Sequence, residues 1–179
     1  MNITLPHKIK NHLGEELIFH RIEKDKGEER LIIESYVAPD SPPIRHTYNQ
    51  DEYLVVLHGK MGYQMEGQDA KFIGIGEAVF FKKNVPYKFW NAGTEELNCF
   101  GWIRPTKNVV EYLTAFYESI NKNKADRPAN FDSAYLLHHY PEEFDIPMPK
   151  LLKSIVLPAT YGIGKLTGRY KNHATVPAS

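Results

Sequence analysis

His46, Tyr48 and Glu52 fall within seven residues and carry an imidazole, a phenol and a carboxyl. These are side chains that hold ligands or move protons. Successive residues of a strand point to opposite sides, so His46 and Tyr48, two apart, share one face. The gap of three residues before Glu52 lets the next strand bring the carboxyl back to that face. A neutral phenol, with a pKa of about 10, ligates metal poorly until it ionises. A hydrogen-bonded polar cluster is therefore the simpler expectation for these groups, and a metal centre the alternative. Other candidates carry less. His58 lies in a turn, His58-Gly59-Lys60, and reads as surface. His138 and His139 are adjacent on a short helix and point in different directions, so they do not share a metal. Cys99 sits within a strand and reads as a small buried hydrophobe. Gly162-Ile163-Gly164-Lys165 lacks the preceding strand and the full spacing of a phosphate loop.

Two segments have the spacing of paired motifs. Asp40 precedes His46-Thr47-Tyr48, Glu52 follows after three residues, and Gly59 six residues later. Gly76 then leads Lys82, Asn84, Tyr87 and Asn91 at the second motif's intervals. In this pattern the chain resembles the cupin superfamily over roughly residues 30–103, by spacing more than by identity. Five of ten defining positions differ. The resemblance implies a double-stranded β-helix, a jelly-roll barrel whose interior receives the side chains at positions 46, 48, 52 and 87. Family members hold a divalent metal there on three histidines and a glutamate. Here Tyr48 and Tyr87 replace two of the histidines, which leaves His46 and Glu52 at ligand positions. Asn84 in place of glycine is tolerable, because asparagine also visits the left-handed region.

The elements that must position these groups follow from periodicity. Glu16–Arg21, Arg30–Val37, Tyr53–Leu57, Gly62–Met65, Ala70–Ile73, Ala78–Phe81, Tyr87–Asn91 and Leu97–Ile103 read as strands rich in Val, Ile, Tyr, Phe and Trp. Turn residues separate them, including Pro39-Asp40-Ser41-Pro42-Pro43 and Glu66-Gly67-Gln68-Asp69. After Pro105 the period changes. Val109, Tyr112, Leu113, Phe116, Tyr117 and Ile120 fall on one helical face. Asp132 or Ser133 is placed to cap a helix through Ala134–His139. A last helical segment runs from Lys150 to about Leu166, with Pro158 expected to kink it. The reading is mainly β: a barrel over 15–105 and C-terminal α-helices over 106–179, packed on the barrel or on a second subunit.

Lys+Arg and Asp+Glu both number 22, so no net charge draws the chain to nucleic acid. One cysteine permits no intramolecular disulfide, and Met1–Gly14 lacks the apolar core of a signal peptide. A cytoplasmic setting is the resulting expectation. Function reads as a module binding a small molecule through His46, Tyr48, Glu52 and Tyr87, with no tightly bound cofactor. The alternative is a metal-dependent cupin enzyme, a dioxygenase or isomerase, using Fe, Mn, Zn or Ni on His46 and Glu52. Whether the chain is catalytic stays open. If it is, Glu52 and His46 are the expected catalytic pair. The resemblance implies a homodimer. Lys150, Lys153, Lys165, Arg169 and Lys171 surround the apolar run Ile155–Ile163, so contact with a membrane is the lesser alternative to packing.

Overall fold

A computed structural model describes residues 3–25, 27–46, 49–143, 149 and 152–170, the side chains of 44–46 and 152 excepted. Ten strands and three α-helices follow in order among these residues. The strands are β1 (His7–Lys10), β2 (Glu15–Asp25), β3 (Glu28–Val37), β4 (Ile44–His46), β5 (Asp51–His58), β6 (Met61–Met65), β7 (Lys71–Ile73), β8 (Ala78–Phe81), β9 (Tyr87–Asn91) and β10 (Leu97–Arg104). The helices are α1 (Val109–Asn123), α2 (Asn130–His139) and α3 (Leu157–Leu166). The chain divides into two compact units, residues 4–107 and, apart from the first three residues, 108–179.

In the β unit the strands form two antiparallel sheets of the jelly-roll type. One is ordered β1-β2-β3-β10-β5-β8 and the other β4-β9-β6-β7. Every sequence-predicted strand has its counterpart, but β1 and β4 are additions. β1 buries only Ile9 of its four residues, and β4 has three residues, so neither writes a readable alternation. Elsewhere the period of two is plain. Leu97, Cys99, Gly101 and Ile103 of β10 are buried while the residues between them are half-buried. On β5, Glu52, Leu54 and Val56 are buried in the same way. Alternation thus puts one carboxyl among the aliphatic side chains of the inner face.

The turns confirm the register of the motif alignment. Gly59 and Gly76 have φ of 81° and 82°, in the left-handed region. Asp40, where the family's first motif opens with glycine, and Asn84, the other altered glycine position, also hold positive φ, 62° and 63°. Asn and Asp enter that region more readily than other side chains, since their short polar groups bond locally to the backbone. The backbone requirement has survived while the residue changed.

In the helical unit α1 buries Val109, Tyr112, Leu113, Tyr117 and Ile120, the face expected from its period. The N-cap of α2 is Ala129, with no side-chain cap, rather than Asp132 or Ser133. Asp132 is buried and accepts hydrogen bonds from Ser119 Oγ (2.6 Å) and Asn123 Nδ2 (3.1 Å) instead. Tertiary pairing has taken the carboxylate from the cap. Pro158 sits at a junction between two kinds of helical turn. It lies in the first turn of α3, and a π-helical turn over Leu152–Val156 runs directly into it, so the helical segment is irregular just before the proline. Lys150 and Leu151 lie outside the described residues.

Candidate functional site

Glu52 and Tyr87 meet across the two sheets. Glu52 stands on β5, with Phe81 of β8 and Ile103 of β10 as its register partners. Tyr87 stands on β9 of the other sheet, between His46 of β4 and Met65 of β6. The Tyr87 phenol donates a hydrogen bond to Glu52 Oε2. Its ring stacks on Phe81, centroids 3.9 Å apart and planes 8° from parallel. Tyr63 of β6 meets the same Phe81 edge-on, so aromatic walls hold the phenol in place. Glu52 is 5% exposed and Tyr87 4%.

Burial sets the chemistry of this pair. Removing the Glu52 carboxyl from water pushes its pKa up to about 7; the Tyr87 hydrogen bond opposes this, and the charge of Glu15 adds to it. Near neutral pH the carboxyl therefore passes between two forms. One donates a proton and the other only accepts. Cys99, on the inner face of β10, has its thiol pushed up to about 12 by burial and by the Glu52 carboxylate. It is a packing residue, as expected, and no thiolate nucleophile.

Glu15 and Ser35 are interior polar groups that the sequence reading missed. Glu15 opens β2, 4% exposed, and accepts a hydrogen bond from Asn11 Nδ2 at 3.1 Å. Ser35 lies opposite Cys99 and Leu17, 2% exposed, with its hydroxyl unpartnered. The alternation Glu15-Leu17-Phe19 would have found the first, had that strand been started one residue earlier, and Ile33-Ser35-Val37 carries the second within a strand already predicted.

The other motif residues divide. The backbone of His46 is in register opposite Tyr87, while its side chain and the whole of Tyr48 lie outside the described residues. Asn91 is a fastener: its Nδ2 donates to the carbonyls of Val37 (2.9 Å) and Glu95 (2.7 Å), and its Oδ1 accepts from Gly93 N. His58 ends β5, exposed, beside Glu95 and the Glu96 carbonyl. His138 stacks on Tyr161 at 3.9 Å and His139 reaches the Tyr161 hydroxyl at 3.3 Å.

The described donors do not compose a metal centre. Among the described residues no three of His, Cys, Asp and Glu gather around a common point. Glu52 Oε2 accepts the hydrogen bond of the Tyr87 phenol.

Residues 34–103 match the family described as "Cupin domain", so the β unit carries a cupin domain. A search of curated proteins finds no match. Among solved structures, the cupin domain of Cnp3 from Schizosaccharomyces pombe is 11% identical (TM-score 0.42), covering 49% of this chain and 63% of that one. AerE from Microcystis aeruginosa is 20% identical (TM-score 0.49), over 57% of this chain and 46% of its own. The polyketide cyclase RemF from Streptomyces resistomycificus is 21% identical (TM-score 0.41), over 50% and 63%. The chain thus spans less than two thirds of each of these structures. Among the described residues no helix is long and apolar enough to cross a membrane.

Proposed function

We propose that the cupin domain binds a small, neutral or cationic polar molecule at the Glu52–Tyr87 pair, without a tightly bound metal. The observation that carries this reading is the buried carboxyl held by a phenol, with its proton affinity raised to about neutral pH. Such a group can accept from a hydroxyl or amine, or donate to a carbonyl, as the ligand requires. Charge narrows the class. The buried polar residues described in the β unit include two carboxyls, Glu15 and Glu52, and no lysine, arginine or histidine. An anion entering beside them meets repulsion to the extent that Glu52 is ionised, and Lys88, the one cation lining the cavity among the described residues, is half-exposed, where water screens it. A cavity of about 160 Å³ abuts Tyr87 and is lined also by Gln64, Met65, Pro86 and Lys88. His46 and Tyr48 complete the site on this reading, His46 by its register opposite Tyr87.

Thermal shift of metal-stripped protein tests the proposal with three sets of small molecules: polyols, amines and carboxylates. Saturable shifts are expected in the first two sets and not the third, and they disappear in Glu52→Ala. Shifts confined to carboxylates, shifts that survive Glu52→Ala, or none in any set would contradict it.

A further inference from the structure

Charge is segregated along this neutral chain. From Ile146 to the last residue there are five cations, Lys150, Lys153, Lys165, Arg169 and Lys171, and no carboxylate. All 22 acidic residues precede that point. The structure adds what the sequence could not supply, the side of the segment that faces water. Ile155, Ile163 and Leu166 are 58%, 54% and 89% exposed, and Val156 is exposed beside them. With Ala159 they recur at steps of four, four and three, so they share one face as the π-helical turn passes into α3. The other face is the one that packs. Leu157 and Tyr161 are half-buried, and Gly164 is buried under the Tyr170 ring. Its tightness explains the glycine, since any side chain there would strike Tyr170. The helix therefore already has its packed side, and its second apolar side has been left in water.

We infer that this face of the π-helical turn and α3 docks on an anionic lipid surface, with the apolar stripe in the headgroup boundary and the basic groups among lipid phosphates. An exposed apolar stripe flanked by cations suits that occupant. A second copy of the same face suits it poorly, because the segment carries cations and no acidic side chain, so two copies of it repel. Lys153 and Lys165 are exposed at the two ends of the stripe, and Arg169 follows one turn on, its guanidinium 4.4 Å from the Phe131 ring centre. The segment lies on the surface and does not span, because it is too short.

Cosedimentation of the full chain with two kinds of vesicle tests this: phosphatidylcholine alone, and phosphatidylcholine mixed with phosphatidylglycerol. Binding is expected only to the mixed vesicles and should fall steeply with added salt. Each cation near such a surface strengthens binding about fivefold, so Lys153→Glu with Lys165→Glu should weaken it by well over tenfold. Leu166→Asp with Ile163→Asp should do likewise, and these exposed positions leave the fold intact. Should a variant misfold, the salt and lipid dependence of the unaltered chain still decides. Equal binding to both vesicles, no binding to either, or indifference to both pairs of substitutions overturns the inference. So does a dimer that Leu166→Asp dissociates in the absence of vesicle binding, since a second copy would then be the occupant.

Discussion

Glu52→Gln is expected to stabilise the β unit by about 2–3 kcal/mol at pH 8 and to leave it nearly unchanged at pH 5. The folded-state pKa of Glu52 stands at about 7, above the 4.5 of a free glutamate. Between those values the folded chain holds a proton that the unfolded chain has released. Stability from this group is thus fully present below about pH 4.5 and is lost as pH rises through 7. Glutamine keeps the shape and keeps an acceptor for the Tyr87 hydroxyl, but it has no charge to desolvate. The same substitution should flatten the pH dependence of the wild type. Urea unfolding followed by tryptophan fluorescence reads this unit alone, because both tryptophans, Trp90 and Trp102, lie within it. Parallel stability curves for the two proteins from pH 5 to pH 8 would show that Glu52 is not buried as described.

Gly101→Ala should cost at least about 4 kcal/mol, enough to leave little folded β unit. Gly101 lies in the middle of β10, which is paired on one side with β3 and on the other with β5. A Cβ at this position would run into the carbonyl oxygen of Tyr53 and stand 3.1 Å from the Leu54 Cα. Both obstacles are backbone, so neither can turn aside, and β10 would have to leave β5. The interior above Glu52 and Cys99 would open with it. Gly93→Ala is the control, since its new methyl meets nothing nearer than 3.5 Å. It should change stability by less than about 1 kcal/mol. Equal unfolding midpoints for the two variants would mean that β10 and β5 do not approach so closely.

Gly101 also shows where sequence reading stops. A glycine inside an apolar run carries no turn signal, and only the neighbouring strand's backbone explains it. What the residues did reveal was local. The eight strands other than β1 and β4, the buried face of α1 and the left-handed turns at Gly59, Gly76 and Asn84 each follow from periodicity or from one residue's φ preference. The pairing of Glu52 with Tyr87 was legible for a different reason: the cupin spacing carries cross-sheet information that no single strand contains. Glu15 and Ser35 escaped because a polar residue in a β-run is ordinarily read as its wet side. Asp132 misled because an acid near a helix start suits a cap, and a tertiary partner outbid that role. The exposed stripe of α3 was ambiguous by nature. An apolar helical face looks the same in sequence whether it is covered or bare.

Everything proposed for the barrel depends on a carboxylic acid kept from water and braced by a phenol. Infrared difference spectroscopy follows that acid directly, by the protonated-carboxyl band present in wild type and missing from Glu52→Gln. The band should titrate with a midpoint near pH 7, and the midpoint should rise further in Tyr87→Phe, where the lowering hydrogen bond is gone. A midpoint close to that of a free glutamate, unmoved by Tyr87→Phe, would contradict it and return Glu52 to solvent.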